Sequence, residues 1–323
     1  MSKRQKALIA IIACVLFWGF SFISIKITVA IFPPMSQGML RFAIAIVFLY
    51  FIKLKLAPKE KLYFKDLPLL FATGITGVTL YFFCENNGVS LVSASEASIA
   101  IGSIPVLTMI TGWLGEKIML IKKRRVANIA TANDAEASNT EPQGHMPQQH
   151  GIGARQWFGS LISIAGVWLV AGVSLAISGS VLGYIYMAGA AISWVAYSFL
   201  TDSLAARRSR IYITFWQTVA GFIGFLPFSI IELRHWGNPN PQVILHLLFL
   251  GVCCSALGYW FYVLALEDLG IPVCAIFINL IPVITVIFGF FVLGDRLSPL
   301  QWLGAALVIA GVYLAMWKKK QLE

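Results

Sequence analysis

Long apolar runs alternate along this chain with short polar and basic clusters. Ala7–Ile25, Ile211–Ile231 and Ile271–Leu293 contain no Asp, Glu, Lys or Arg. Each is close to the roughly 20 residues that an α-helix needs to cross a hydrocarbon core of about 30 Å. In lipid the backbone amides must be satisfied within their own segment, so each run reads as a helix. The pattern predicts ten: Ala7–Thr28, Pro33–Ile52, Leu67–Gly88, Ser93–Leu114, Trp157–Ile177, Val181–Thr201, Ile211–Ile231, Val243–Leu266, Ile271–Leu293 and Leu300–Trp317. The fold class expected is an all-α membrane protein with ten transmembrane helices.

Composition agrees. Of 323 residues, 59% are hydrophobic and 12% charged, more apolar surface than a soluble domain could hide. The net charge of +10 would suit a nucleic-acid binder, but the basic residues form clusters between the apolar runs and no stripe along a surface helix. With the N-terminus in the cytoplasm, ten helices place twenty of the twenty-four Lys and Arg residues on the inside, from Lys3 through Lys59 and Arg208 to Lys320. A miscount in mid-chain would swap the side of every later cluster, so charge sidedness supports ten helices with both termini cytoplasmic. The first run follows Lys3, Arg4 and Lys6, yet it is too long for a signal-peptide core and reads as a retained helix. Cys14, Cys84, Cys253, Cys254 and Cys274 all fall in apolar runs without metal-site spacing, and read as small buried residues.

The chain repeats itself at half-length. Ile104-Pro-Val-Leu-Thr-Met-Ile110 returns as Ile281-Pro-Val-Ile-Thr-Val-Ile287, Gln156-Trp157-x-Gly159 as Gln301-Trp302-x-Gly304, and Ile164-Ala-Gly-Val167 as Ile309-Ala-Gly-Val312. Gly115-Glu116 and Gly294-Asp295 fall between these blocks. Halves with an odd number of helices must lie upside down to one another, so the expectation is two inverted five-helix repeats, residues 1–178 and 179–323. That is an architecture of secondary transporters. The first half carries about 32 extra residues, a polar insertion at about 122–154 that includes His145 and His150 and reads as a solvated cytoplasmic linker. Deleting most of 127–153 is expected to leave function unchanged.

Soluble-enzyme motifs are missing: no phosphate-binding glycine loop with Lys, no HExxH, no serine elbow. The four histidines are scattered, so neither an enzyme nor a metal or cofactor site is expected. Intramembrane ionisable groups are the better guide to function. Arg41 lies eight residues into the second helix, about 12 Å deep at 1.5 Å per residue. Glu85 and Glu96 sit near the outer ends of the third and fourth helices. A guanidinium and a carboxylate at that depth could bind a zwitterion, or the carboxylate could carry a proton; a structural ion pair is the competing reading. Aromatic residues form a second set. Trp18 matches Trp194 across the repeat, Tyr197 shares the face of Trp194, and Tyr81, one turn before Glu85, matches Tyr259. Their rings and polar tips suit the lining of an amphipathic cavity, while plain packing is the alternative. Pro105 and Pro282 interrupt matching helices, with Gly102 and Asn279 three residues upstream, where a carbonyl is freed. Paired breaks suit a midplane site or a gating hinge.

These residues resemble the drug/metabolite transporter superfamily in its EamA-like, ten-helix form. The carriers of the resemblance are Phe17-Trp18-Gly19-x-Ser21-Phe22, Leu40-Arg41-Phe42, Glu85-Asn86 leading to Ser93-Ala94-Ser95, and Pro105 with Gly115-Glu116. In the second half Pro282, Gly294-Asp295 and Gln301-Trp302-x-Gly304 continue it. The resemblance covers the chain outside the insertion. It implies a plasma-membrane exporter of small metabolites, amino acids and aromatic ones among them, working by alternating access. It also implies a cavity lined by helices 1, 3, 4, 6, 8 and 9, and so by Trp18, Tyr81, Glu85, Trp194, Tyr197, Tyr259 and Asn279; Arg41 and Asn86 complete the candidate substrate-binding set. The expected partners are a small-molecule substrate and the lipid bilayer, with proton coupling and a monomeric state left open and no nucleic acid. A non-transporting scaffold or lipid-handling protein is the alternative. It would be tightly packed where a transporter has a hydrated cavity.

Overall fold

A computed structural model describes residues 2–117, 154–170, 180–205, 207–293 and 298–316. Residues 122–153 of the polar insertion, with His145 and His150, lie outside them, as do Gly294 and Asp295. The described residues form helices and no strand. These are α1 (Lys3–Val29), α2 (Pro34–Leu56), α3 (Phe64–Leu91), α4 (Glu96–Lys117), α5 (Ala154–Val170) and α6 (Val181–Ala205). They continue with α7 (Arg210–His235), α8 (Pro241–Leu269), α9 (Ile271–Ile278 resuming as Leu280–Leu293) and α10 (Pro299–Met316). Seven of them, all but α2, α5 and α10, are by length and apolarity able to cross a membrane on their own. The all-helical membrane fold expected from the sequence is present, and the number of spans that length and composition settle is seven.

Local sequence explains where the helices start and stop. Ser2 and Gln5 form a reciprocal capping box at the start of α1, Ser209 caps α7 and Asn240 caps α8, each side-chain oxygen accepting from a free amide of the first turn. Gly270 separates α8 from α9 at φ +82°, a backbone that a residue with a Cβ rarely adopts. The two proline interruptions also appear. A helical segment ends at Gly102 in α4 and at Asn279 in α9, both three residues before the proline, with nearly the same backbone (φ −58°, ψ −10° and φ −64°, ψ −13°).

Packing relates the halves by approximate two-fold symmetry. The helices α1 and α6 are central: α1 packs on α8 and α9, while α6 packs on α3 and α4. At the flanks α2 packs on α7 and α5 on α10. The α5–α10 seam explains the repeated glycine blocks. A Cβ on Gly159 would come within 2.6 Å of the Gly311 carbonyl, and one on Gly166 within 2.6 Å of the Gly304 carbonyl. Each glycine thus meets the repeat counterpart of the other, which lets two backbones touch, as small residues do in membrane helix pairs.

The hairpins also interlock. Where α2 gives way to α3, Asp66 accepts from Arg208 Nε at 2.6 Å and from the Tyr212 hydroxyl at 3.1 Å, and Glu60 accepts from the Ser209 amide at 3.3 Å. The hydrogen bond from Arg208 to the Asp66 carboxylate raises the Arg208 pKa above its ordinary value, so the guanidinium keeps its charge. At the other end of the bundle, where α1 gives way to α2, Glu232 accepts from the amides of Ser36 at 2.6 Å and Met35 at 3.3 Å. At each end, then, a glutamate from one half sits on the amino terminus of a helix from the other, where backbone N–H groups and the helix dipole favour an anion.

A buried aromatic and charged centre

Trp18 on α1 and Trp194 on α6, counterparts in the repeat, meet edge to face at the middle of the bundle with ring centroids 5.1 Å apart. The paired tyrosines flank them: Tyr81 lies 5.0 Å from Trp194, and Tyr259 5.9 Å from Trp18. All four rings are buried. Edge-to-face contacts of this kind place the positive rim of one ring on the negative face of the next.

Two π-helical segments hold this centre, Ile75–Leu80 in α3 and Leu250–Leu257 in α8. They occupy matching places, shortly before Tyr81 and Tyr259. Trp18 Nε1 donates to the Cys254 carbonyl at 3.1 Å, and Ser193 Oγ, beside Trp194, donates to the Thr76 carbonyl at 2.6 Å. Cys254 and Thr76 each stand five residues before the tyrosine of their helix. The Tyr259 hydroxyl donates to the Gly77 carbonyl. Wide turns offer carbonyls sideways, and here groups from the opposite half take them up.

The charges lie against this aromatic core. Arg41 on α2 is 1% exposed and Glu85 on α3 is 3% exposed. Glu85 accepts from the Tyr81 hydroxyl at 2.7 Å, one turn earlier on the same face. Arg41 Nε donates to Ser255 Oγ at 2.8 Å, and its guanidinium carbon stands 4.3 Å from the Phe82 ring centroid. Its Nη1 has no hydrogen-bond partner. Arg41 and Glu85 line one cavity, yet no ion pair within 4.0 Å joins them. Trp18, Ser21, Phe22, Tyr81, Phe82, Trp194 and Tyr259 share the lining with Ile101, Ile104, Ile278 and Ile281 beside the two helix breaks. The space open to the centre of a water molecule is about 20 Å³, room for about one water. Arg41, Glu85 and Ser21 stand in this lining among aromatic and aliphatic side chains, and the space is nearly filled by them rather than the wide hydrated cavity expected of a transporter.

Of the nine substrate-binding candidates, six (Trp18, Arg41, Tyr81, Glu85, Trp194 and Tyr259) line the cavity. The other three stand outside its lining. Asn86 Nδ2 donates to the Pro34 carbonyl at 2.7 Å and to Gln37 Oε1 at 2.9 Å, fastening α3 to the start of α2. Tyr197 packs behind Trp194 at 4.9 Å, and its hydroxyl accepts from Gln217 Nε2 at 2.9 Å. Asn279, at the α9 break, donates to Ser163 Oγ on α5 at 2.8 Å. Pro105 and Pro282 each follow the breaks described above. Glu96 forms a capping box with Ser93 and accepts from the Tyr184 hydroxyl at 3.0 Å, a structural role. Sequence reasoning missed Ser255 and Tyr262. Tyr262 accepts from Trp194 Nε1 at 3.2 Å, and its place three residues after Tyr259, on the same helix face, was the available signal. Ser255 gave none, since its repeat counterpart is Gly77.

The profile of the EamA-like transporter family matches residues 5–124 and 181–317. An uncharacterized transporter of Archaeoglobus fulgidus is 28% identical over 98% of this chain and 100% of its own. A Streptantibioticus cattleyicolor protein named a probable terminal-alkyne amino-acid exporter is 24% identical over 97% of this chain and 94% of its own. A solved crystal structure of 17% identity superposes over 97% of both chains with a TM-score of 0.68, a likeness of fold.

Proposed function

The chain belongs to the EamA-like transporter family, and we propose that it exports small metabolites, zwitterionic amino acids foremost, by alternating access around the Arg41–Glu85 cavity. One observation carries the choice of substrate. A buried guanidinium and a buried carboxyl group share one aromatic-walled cavity without closing on each other. Buried charges are costly unless paired, so such an arrangement suits a ligand that brings the complementary charges itself. An α-carboxylate answers the free Arg41 Nη1, an α-ammonium answers Glu85, and an apolar side chain packs against the Trp18 and Trp194 rings. The amino-acid exporter among the relatives supports the same substrate class.

The two halves, 1–178 and 179–323, act as the inverted units whose relative movement opens the site to either side, with hinges at Gly102–Pro105 and Asn279–Pro282. On this reading the protein lies in the plasma membrane with both termini cytoplasmic. Reconstituted in liposomes, it should take up radiolabelled apolar amino acids, and Arg41→Ala should reduce uptake at least a hundredfold while the protein stays folded in detergent. An Arg41→Ala variant with normal rates would sink the assignment. Running the assay with and without a pH gradient decides whether protons are coupled.

A further inference from the structure

We propose that Ser255 is a specificity-determining residue of the site: it orients Arg41 so that the guanidinium is presented to a substrate carboxylate. The inference rests on the amino-acid reading above and names the residue through which the site selects the carboxylate.

The π-helical segment of α8 grips Arg41 twice. At Gly251 the backbones of α8 and α2 touch, and a Cβ there would lie 2.9 Å from the Arg41 carbonyl and 2.6 Å from Ile44 Cβ. Four residues on, the fully buried Ser255 accepts a hydrogen bond at Oγ from Arg41 Nε–H at 2.8 Å. The first contact fixes where the arginine starts and the second fixes how its head turns. A guanidinium is planar, so a bond at Nε together with the Phe82 ring at 4.3 Å settles the plane of the whole fork. Nη1 is left buried and unpartnered in a residue that lines the cavity. Carboxylates meet such a fork edge-on, with strong charge-assisted bonds. A ligand without the carboxylate enters but leaves that donor unsatisfied, which is how a built polar site rejects an analogue. The repeat partner of Ser255 is Gly77, and it offers a carbonyl to Tyr259 instead. The two π segments thus orient a charge in one case and a ring in the other, and only the one in α8 carries a side chain for the task.

The test uses the full chain in proteoliposomes, with radiolabelled L-phenylalanine as substrate and phenylethylamine, the same molecule without its carboxylate, as competitor. Ser255→Ala should raise KM for L-phenylalanine about tenfold, the loss expected for one hydrogen bond to a charged group, with Vmax within about twofold. The inhibition constant of phenylethylamine should not move, and Ser255→Thr, which keeps the hydroxyl, should recover most of the KM. An equal loss for both ligands, or no recovery with threonine, reduces Ser255 to a packing residue and overturns the inference. A selective wild type with an equally selective Ser255→Ala overturns it alone. A wild type that binds phenylethylamine as well as L-phenylalanine overturns the amino-acid reading, and the inference with it.

Discussion

Glu85 and Arg41 are each held by one neutral hydroxyl, Tyr81 for the carboxylate and Ser255 for the guanidinium. A hydroxyl steadies such a group without neutralising it, so neither is spent on an internal counter-charge and both remain available to a ligand in this low-dielectric place. Glu85→Gln preserves shape and the tyrosine bond while removing the charge that an ammonium needs. It should raise KM for an amino acid about tenfold or more and leave the affinity for its N-acetylated form nearly unchanged, as read by competition in proteoliposomes. Arg41 and Glu85 were legible in the sequence because charge within an apolar run is rare and demands a reason. Trp18, Trp194, Tyr81 and Tyr259 were legible because the repeat paired them before the structure brought them together. Asn86 and Asn279 were drawn into the candidate set by motif and by proline spacing. Both are polar for tertiary reasons, tying α3 to α2 and α9 to α5.

The helix breaks could be anticipated, and the π segments could not. Proline removes an amide and so writes its effect into the sequence. A π turn differs from an α turn by one accommodated residue, and what stabilises it here is tertiary: the cross-half bonds to Thr76, Gly77 and Cys254. The glycine blocks lie between these cases. Their repetition was visible, but their purpose needed the antiparallel pairing of α5 with α10. Gly166→Leu would drive a side chain into the Gly304 carbonyl and Val308, which stand within 2.9 Å of the missing Cβ. It should destabilise the protein by about 1–3 kcal/mol, the usual cost of overpacking, seen as a lowered midpoint of thermal unfolding in detergent. The same substitution at Gly115, where no atom lies within 4 Å, should leave the midpoint unchanged.

Assembled, the bundle is closed at its centre and stapled at both ends. Asp66–Arg208 joins the α2–α3 hairpin to the α6–α7 hairpin, and Glu232 on the start of α2 joins the other pair. If the halves rock, one staple must release in each open state. Ser198 is buried on α6 with its hydroxyl 2.9 Å from that of Tyr262. Arg208→Gln should weaken the first staple and raise the rate at which a single cysteine placed at Ser198, in an otherwise cysteine-free chain, reacts with a thiol reagent applied from that end. Labelling at the wild-type rate would show that the hairpin contact does not gate access.

The two staples are alike in their carboxylate on a helix amino terminus and unlike in one respect. The Asp66–Arg208 ion pair has no counterpart between the described α1–α2 and α7–α8 hairpins. A carrier whose two faces cost different amounts to open spends unequal time facing each compartment. For uncoupled exchange this cannot move the final concentrations, because a catalyst of equilibration has no free energy of its own to contribute. The inequality must emerge in kinetics: half-saturation would differ when measured from opposite sides of the membrane, while the ratio of maximal rate to half-saturation stays equal in both directions. Such a carrier is rectified in appearance alone, and its net flux follows whichever side holds more cargo.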